Sequence, residues 1–184
     1  MVPSENVSVF SPEILARAQL IQLLLLDVDG VLSDGTLGYG TGDIEIKSFH
    51  SQDGFGIRQL VKCDVLVGII TGRSSEAVRR RAKELKMDFL YEGTKDKLVR
   101  FKEILQTTRL KPEQIAYMGD DWMDLPLLNR VGLALAPVNA VLEVKERVHF
   151  VTNKSGGKGA VREVCDLLME AKGKKEALLA EFDL

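Results

Sequence analysis

Cysteine is scarce in this chain of 184 residues: there are two, Cys63 and Cys165, far apart in sequence. A disulfide framework is therefore not supported, and reduced thiols in an intracellular protein are the expectation. No apolar run approaches the ~20 residues that a membrane-spanning helix needs. The longest, around Leu23–Leu26, is interrupted by Gln22 and Asp27. Neither sign of charge dominates, since 25 Lys and Arg stand against 27 Asp and Glu for a net charge of −2. Such a balance argues against nucleic acid or an anionic membrane as the main partner. The opening MVPSENVSVF lacks the charged start and apolar body of a signal peptide, so a cytoplasmic protein is expected. What is present is 45% hydrophobic and 28% charged residues, an ordinary globular balance. The length suits one domain, residues 1–184, with a sizeable core.

Short apolar runs recur along the chain, and most end in a polar turn. Ile21–Val28 reads as a strand closing near Gly30, and Val65–Ile70 repeats the design before Thr71-Gly72-Arg73. Asp88–Tyr91, Gln114–Met118, Val131–Ala136 and His149–Thr152 are shorter strand candidates. Helices are expected at Pro12–Gln19, where Ser11 caps, and at Ser75–Lys86, Lys95–Gln106, Asp124–Arg130, Ala140–Val144 and Gly159–Ala171. Alternation at Asp43–Lys47 among many glycines suggests a β-hairpin flap within 34–49. The tail from Lys172 is charged and is expected to be mobile over 173–184. Buried strands alternating with helices imply an α/β fold, a Rossmann-like three-layer sandwich with a mainly parallel sheet. Ligands bind such sheets at the carboxyl ends of the strands.

Asp27 and Asp29 stand at the first of those ends, in LLLLDVDGVLSDG. Residues two apart on a strand share a side. If the strand stays extended, both face one pocket; if it unwinds at Val28, the turn can still aim both inward. Two carboxylates a few Å apart repel unless they share a proton or a metal ion. Hard oxygen donors favour Mg²⁺, which takes one or two carboxylates plus a substrate phosphate. GDDWMD adds Asp120, Asp121 and Asp124 at another strand end, while Lys97 and Thr71 supply a cation and a hydroxyl. A nucleophile, an acid/base, a metal site and donors for phosphoryl oxygens together make a phosphoryl-transfer site.

D-x-D-G-V-x-S-D-G, then apolar-T-G-R, then a lysine, then G-D-D-x-x-D resembles the haloacid dehalogenase superfamily of aspartate-nucleophile phosphatases. The order of the four motifs from Asp27 to Asp124 carries the resemblance; no single one would. FHSQDGFGIR at Phe49–Arg58 and GGKGAVREVCD at Gly156–Asp166 extend it. With these, the chain from about Leu15 to Gly173 is similar to the 3-deoxy-D-manno-octulosonate 8-phosphate phosphatases of lipopolysaccharide precursor synthesis.

The resemblance implies Asp27 as nucleophile and Asp29 as general acid and then base. It implies Mg²⁺ held by Asp27, the backbone carbonyl of Asp29, and Asp120. Thr71 and Lys97 would bind phosphoryl oxygens. Asp121 and Asp124 would orient Lys97 or metal-bound water, against the plainer reading that they cap the helix after them. A sugar-acid phosphate substrate would meet His50, Ser51, Gln52, Asp53, Gly54, Arg58, Gly72, Arg73, Arg81 and Lys97. Arginine forks suit a sugar-acid carboxylate. Arg79-Arg80-Arg81 reads equally well as a solvated helix face. His50 stands where relatives usually have asparagine, and Lys158 replaces a common arginine.

Too few residues lie between Asp29 and Gly72, or between Lys97 and Asp120, for a separate cap domain. Neighbouring subunits are expected to close the site, as a homotetramer, the state the resemblance implies. SGGKG at Ser155–Gly159 lacks the spacing of a nucleotide P-loop. The competing functions are a nonulosonate 9-phosphate or other sugar-phosphate phosphatase and, from a different class, a non-catalytic oligomerisation domain of the same fold. Intact Asp27, Asp29, Thr71, Lys97 and Asp120 argue against the latter.

Overall fold

A computed structural model describes residues 9–42 and 45–183. In chain order the strands are β1 Leu23–Leu26, β2 Gly38–Tyr39, β3 Glu45–Ile46, β4 Leu66–Ile70, β5 Phe89–Tyr91, β6 Ile115–Met118, β7 Leu133–Ala136 and β8 Phe150–Val151. The helices are α1 Pro12–Gln19, α2 Ser51–Val61, α3 Glu76–Leu85, α4 Lys97–Thr108, α5 Leu125–Leu128, α6 Leu142–Lys145, α7 Ala160–Ala171 and α8 Lys175–Ala180. Six strands form one sheet in the order β5-β4-β1-β6-β7-β8, and every neighbouring pair is parallel.

The four leucines of β1 are all fully buried because the sheet is covered on both faces. Leu24 and Leu26 point to a core shared with α1, α2, α3 and α7, through Ala18, Ile57, Val78 and Val161 among others. Leu23 and Leu25 point to a second core with Phe101 and Ile104 of α4 and Leu127 and Leu128 of α5. One period-two strand thus serves two layers. The chain runs outward from β1 through β4 to β5, then returns to β6 on the other side of β1. That reversal opens a crevice at the carboxyl ends of β1, β4 and β6. Register sets Leu26 beside Ile69 and Met118, so the residues after all three strands emerge together.

Two features depart from the sequence expectation. Residues 51–61, assigned no element, form α2. Gly54 and Gly56 disguise a helix, because glycine is a poor helix former, yet both pack closely against other helices. A Cβ at Gly54 would stand 2.2 Å from Nη2 of Arg81, and one at Gly56 would stand 2.8 Å from Cδ of Arg162. The tail, also given no element, carries α8. Phe182 beyond it meets Phe55 edge-on at 5.7 Å, and Glu181 pairs with Lys62 at 2.6 Å.

The flap expected at 34–49 is present as the antiparallel pair β2–β3, with Gly38 opposite Ile46 and Tyr39 opposite Glu45. Asp43 and Ile44, within that expected segment, lie outside the described residues, as do 1–8 and Leu184. Among the described residues, no helix is long and apolar enough to cross a membrane. Cys63 and Cys165 are buried free thiols.

Candidate active site

β1 pairing runs one residue past the strand, since Asp27 N–H donates to the Met118 carbonyl at 3.0 Å. The backbone stays extended at Asp27 and Asp29, then reverses at Gly30 with φ +88°. Ser33 N–H closes the turn on the Val28 carbonyl at 2.9 Å. Glycine is required at 30 for conformation and for space, as a Cβ there would sit 2.0 Å from Oδ2 of Asp120. The turn therefore presses against the acidic loop after β6.

Lys97, the first residue of α4, is almost wholly buried and reaches Asp27 Oδ1 at 3.0 Å, Asp124 Oδ1 at 2.7 Å and the Tyr117 hydroxyl at 3.1 Å. Burial works against its charge, but Asp27 and Asp124 outweigh that and hold its pKa above the ordinary lysine value. Asp124 is the hub. Its Oδ1 accepts from Lys97 and Tyr117, and its Oδ2 from the N–H groups of Asp120 at 2.9 Å and Asp121 at 3.1 Å. Gly119 makes room for it, because a Cβ there would lie 2.3 Å from Asp124 Cγ. Asp121 is exposed and caps Trp122 N–H at 2.7 Å.

Asp27 and Asp120 are left crowded. Burial pushes the Asp27 carboxyl up to about 6, against the pull of Lys97. Burial, with the charge of Asp27 next, pushes Asp120 up to about 7. Carboxylate oxygens of Asp27, Asp120 and Asp124 fall within 4.8 Å of one another. An all-oxygen donor set whose members resist ionising together fits a hard divalent cation such as Mg²⁺. Asp27 and Asp120 are the ones with capacity to spare, since both oxygens of Asp124 are already engaged.

Thr71, Gly72, Arg73, Asp121 and Met123 complete the cleft with Asp27, Asp29, Lys97, Asp120, Asp124 and Gly35. Thr71 is held there by its N–H on the Tyr91 carbonyl at 2.9 Å and its carbonyl under Thr94 N–H at 3.0 Å. Of the residues expected from the sequence, all those from the four motifs therefore converge.

The substrate-side segment around His50 does not line this cleft in the single chain. His50 and Gln52 line a separate open cavity with Lys158 and Gly159. Asp53 is buried and accepts Arg162 N–H at 2.8 Å, tying α2 to the start of α7; burial raises its pKa. Arg81 lies over the Phe49 ring and donates to the His50 carbonyl at 3.2 Å, against the Cα of Gly54. Ser51 and Arg58 are exposed.

Three side chains at the site went unnoticed in the sequence. Tyr117 was hidden inside an apolar strand. Lys47 and Glu45 of the flap contact Asp29 and Arg73; their shared face was legible in the alternation at 43–47, but not what that face meets.

A parallel sheet with a D-x-D turn, a buried lysine and an acidic loop at adjacent strand ends defines an aspartate-based hydrolase. Consistent with this, residues 89–164 match the family described as haloacid dehalogenase-like hydrolase. The curated 3-deoxy-D-manno-octulosonate 8-phosphate phosphatase KdsC of Yersinia pestis is 46% identical over 164 residues, covering 89% of this chain and 88% of the relative. The crystal structure of that enzyme superposes with a TM-score of 0.89 at 45% identity over 91% of this chain and 90% of that one. The phosphatase of the same name from Moraxella catarrhalis, solved with magnesium, phosphate and KDO, gives a TM-score of 0.91 at 38% identity, covering 94% of this chain and 99% of that one. The chain belongs to the 3-deoxy-D-manno-octulosonate 8-phosphate phosphatase family of haloacid dehalogenase-like phosphoric monoester hydrolases.

Proposed function

We propose that this chain hydrolyses 3-deoxy-D-manno-octulosonate 8-phosphate to the free sugar acid and phosphate in two displacements. The observation that carries this reading is the convergence of Asp27, Asp29, Thr71, Lys97 and Asp120 on one cleft, in a member of this phosphatase family. An Asp27 carboxylate oxygen attacks phosphorus while the bond from phosphorus to the sugar oxygen breaks. Asp29 gives that oxygen its proton. Asp29 then takes a proton from water, the water oxygen attacks phosphorus, and Asp27 leaves as a carboxylate with release of phosphate. Such proton transfer contributes ~10²–10⁴-fold. Thr71 and Lys97 bind the phosphoryl oxygens, and Asp124 fixes Lys97. Asp27, Asp120 and the backbone carbonyl of Asp29 would hold Mg²⁺, which when bound neutralises charge on the carboxylates and the phosphoryl group.

Arg73 lines the cleft and supplies a guanidinium for the sugar-acid carboxylate. His50, Ser51, Gln52 and Arg58, which lie outside the cleft of one chain, serve a site completed between subunits of a homotetramer. Exposed Leu37, Tyr39 and Ile46 on the flap support association through that hairpin. The same reading makes the enzyme cytoplasmic.

Phosphate release should be measured with Mg²⁺ and with chelator, from the eight-carbon substrate and from nine-carbon sugar-acid phosphates, with Asp27→Asn as control. A magnesium-dependent preference for the eight-carbon ester, lost in the variant, is expected. Preference for a nine-carbon ester would replace the substrate, and no release from any ester would favour a non-catalytic role.

A further inference from the structure

We propose that Lys47 of the flap is a positioning residue for Asp29: with Ser33 it pins Oδ1, so that Oδ2 is the oxygen that carries the proton. The inference rests on the reading of Asp29 as general acid and base. Lys47 Nζ pairs with Asp29 Oδ1, and Ser33 Oγ donates to the same oxygen at 3.2 Å. Among the described residues Asp29 Oδ2 meets Arg73 Nε, at 3.9 Å, and both residues line the cleft. Lys47 is not part of the cleft lining, and its side chain is 1% exposed, so it acts through Asp29 and touches no reacting atom.

Glu45 closes the arrangement. It holds Lys47 at 3.2 Å and Arg73 Nη2 at 3.2 Å, which makes a ring of alternating charge through Asp29, Lys47, Glu45 and Arg73. Tyr39 of β2 adds its hydroxyl to Arg73 at 3.3 Å. A lysine fixed between two carboxylates cannot rotate away without leaving a buried charge unpaired. The flap therefore does more than overhang the cleft. Its two charged residues, two apart on one face of β3 and the residue after it, set the orientation of the proton donor.

The chemistry gives a test that a merely structural role would not pass. A sugar oxygen needs a proton to leave, and a dinitrophenolate does not. kcat/KM reports transfer to Asp27 alone, whereas kcat also includes attack by water, which needs Asp29 as base for every ester. For Lys47→Ala, kcat/KM on the sugar phosphate should fall ~10²-fold, the size of effect that a displacement of about 1 Å can have. On 2,4-dinitrophenyl phosphate the fall should be at least tenfold smaller, while kcat falls on both. Lys47→Arg should recover part of the loss, and Glu45→Gln should show the same dependence on leaving group in weaker form. These two variants carry the test if Lys47→Ala does not fold. Equal losses on both esters in Lys47→Arg and Glu45→Gln, or no loss at all, would overturn the proposal. Asp29→Asn separates the two failures. If it shows no dependence on leaving group, the acid role of Asp29 falls; if it does and the flap variants do not, only the role of Lys47 falls.

Discussion

Asp27 and Asp120 are held against their own repulsion, and that tension makes two predictions at the scale of the residue. Their folded-state pKa values, about 6 and about 7, lie above the ordinary carboxylate value near ~4. The metal-free folded protein thus binds these protons more tightly than the unfolded chain does. Their contribution to stability is complete below pH ~4 and is lost as pH rises through 6 and 7. On the proposed assignment Mg²⁺ would bind the ionised pair, so it should raise the melting temperature more at pH 8 than at pH 5. Thermal melts with and without the ion check this, and an equal gain at both values would remove these carboxylates as the ligands. Lys97→Met should leave Asp124 buried without its cation and cost about 3 kcal/mol or more in urea unfolding, with activity lost. A neutral effect on stability would contradict the buried network around Asp124.

The loops after β1, β7 and β8 interlock through Gly30, Asn139 and Gly156, and the prediction for elements falls there. Asn139 Nδ2 donates to the Gly30 carbonyl at 3.0 Å, and its Oδ1 accepts Gly156 N–H at 2.7 Å. A Cβ at Gly156 would stand 1.8 Å from that carbonyl, with backbone rather than a flexible side chain in the way. Gly156→Ala should therefore destabilise by about 2 kcal/mol or more and displace the Asp29–Gly30 turn. A melting scan together with kcat/KM would register both, and an unchanged kcat/KM would show that the turn does not lean on this loop.

Gly156 of SGGKG, a segment that fails as a phosphate loop, thus has a packing reason that spacing alone does not disclose. Strand runs and their polar ends were legible because burial on both faces of a parallel sheet writes itself as short apolar blocks. The motif aspartates Asp27, Asp29 and Asp120 and Thr71 were legible for the same reason, standing where those blocks stop, whereas Lys97, at the start of α4, was legible through the order of the motifs. α2 was not, because Gly54 and Gly56 answer to Arg81 and Arg162, residues remote in sequence. Nor could periodicity show that Asp53 turns inward to cap α7 rather than toward the cleft.

For the whole molecule, no separate domain covers the cleft among the described residues, and the flap is the element that meets Asp29 and Arg73 at its edge. The flap presents Leu37 at 42%, Tyr39 at 69% and Ile46 at 59% exposure, apolar side chains that suit a contact between subunits. A tetramer by light scattering is the expected state, and Ile46→Glu should weaken it and lower kcat/KM together. A fully active monomer would refute closure by neighbours.

The covalent role of Asp27 is the claim on which the rest depends, and the stereochemical course at phosphorus tests it most directly. The phosphorothioate analogue of the sugar phosphate, made chiral at phosphorus with two oxygen isotopes and hydrolysed in water carrying the third, should give chiral inorganic thiophosphate with retention, since each of two in-line displacements inverts the centre once. Inversion would mean that water attacks the ester directly, with Asp27 reduced to a metal ligand.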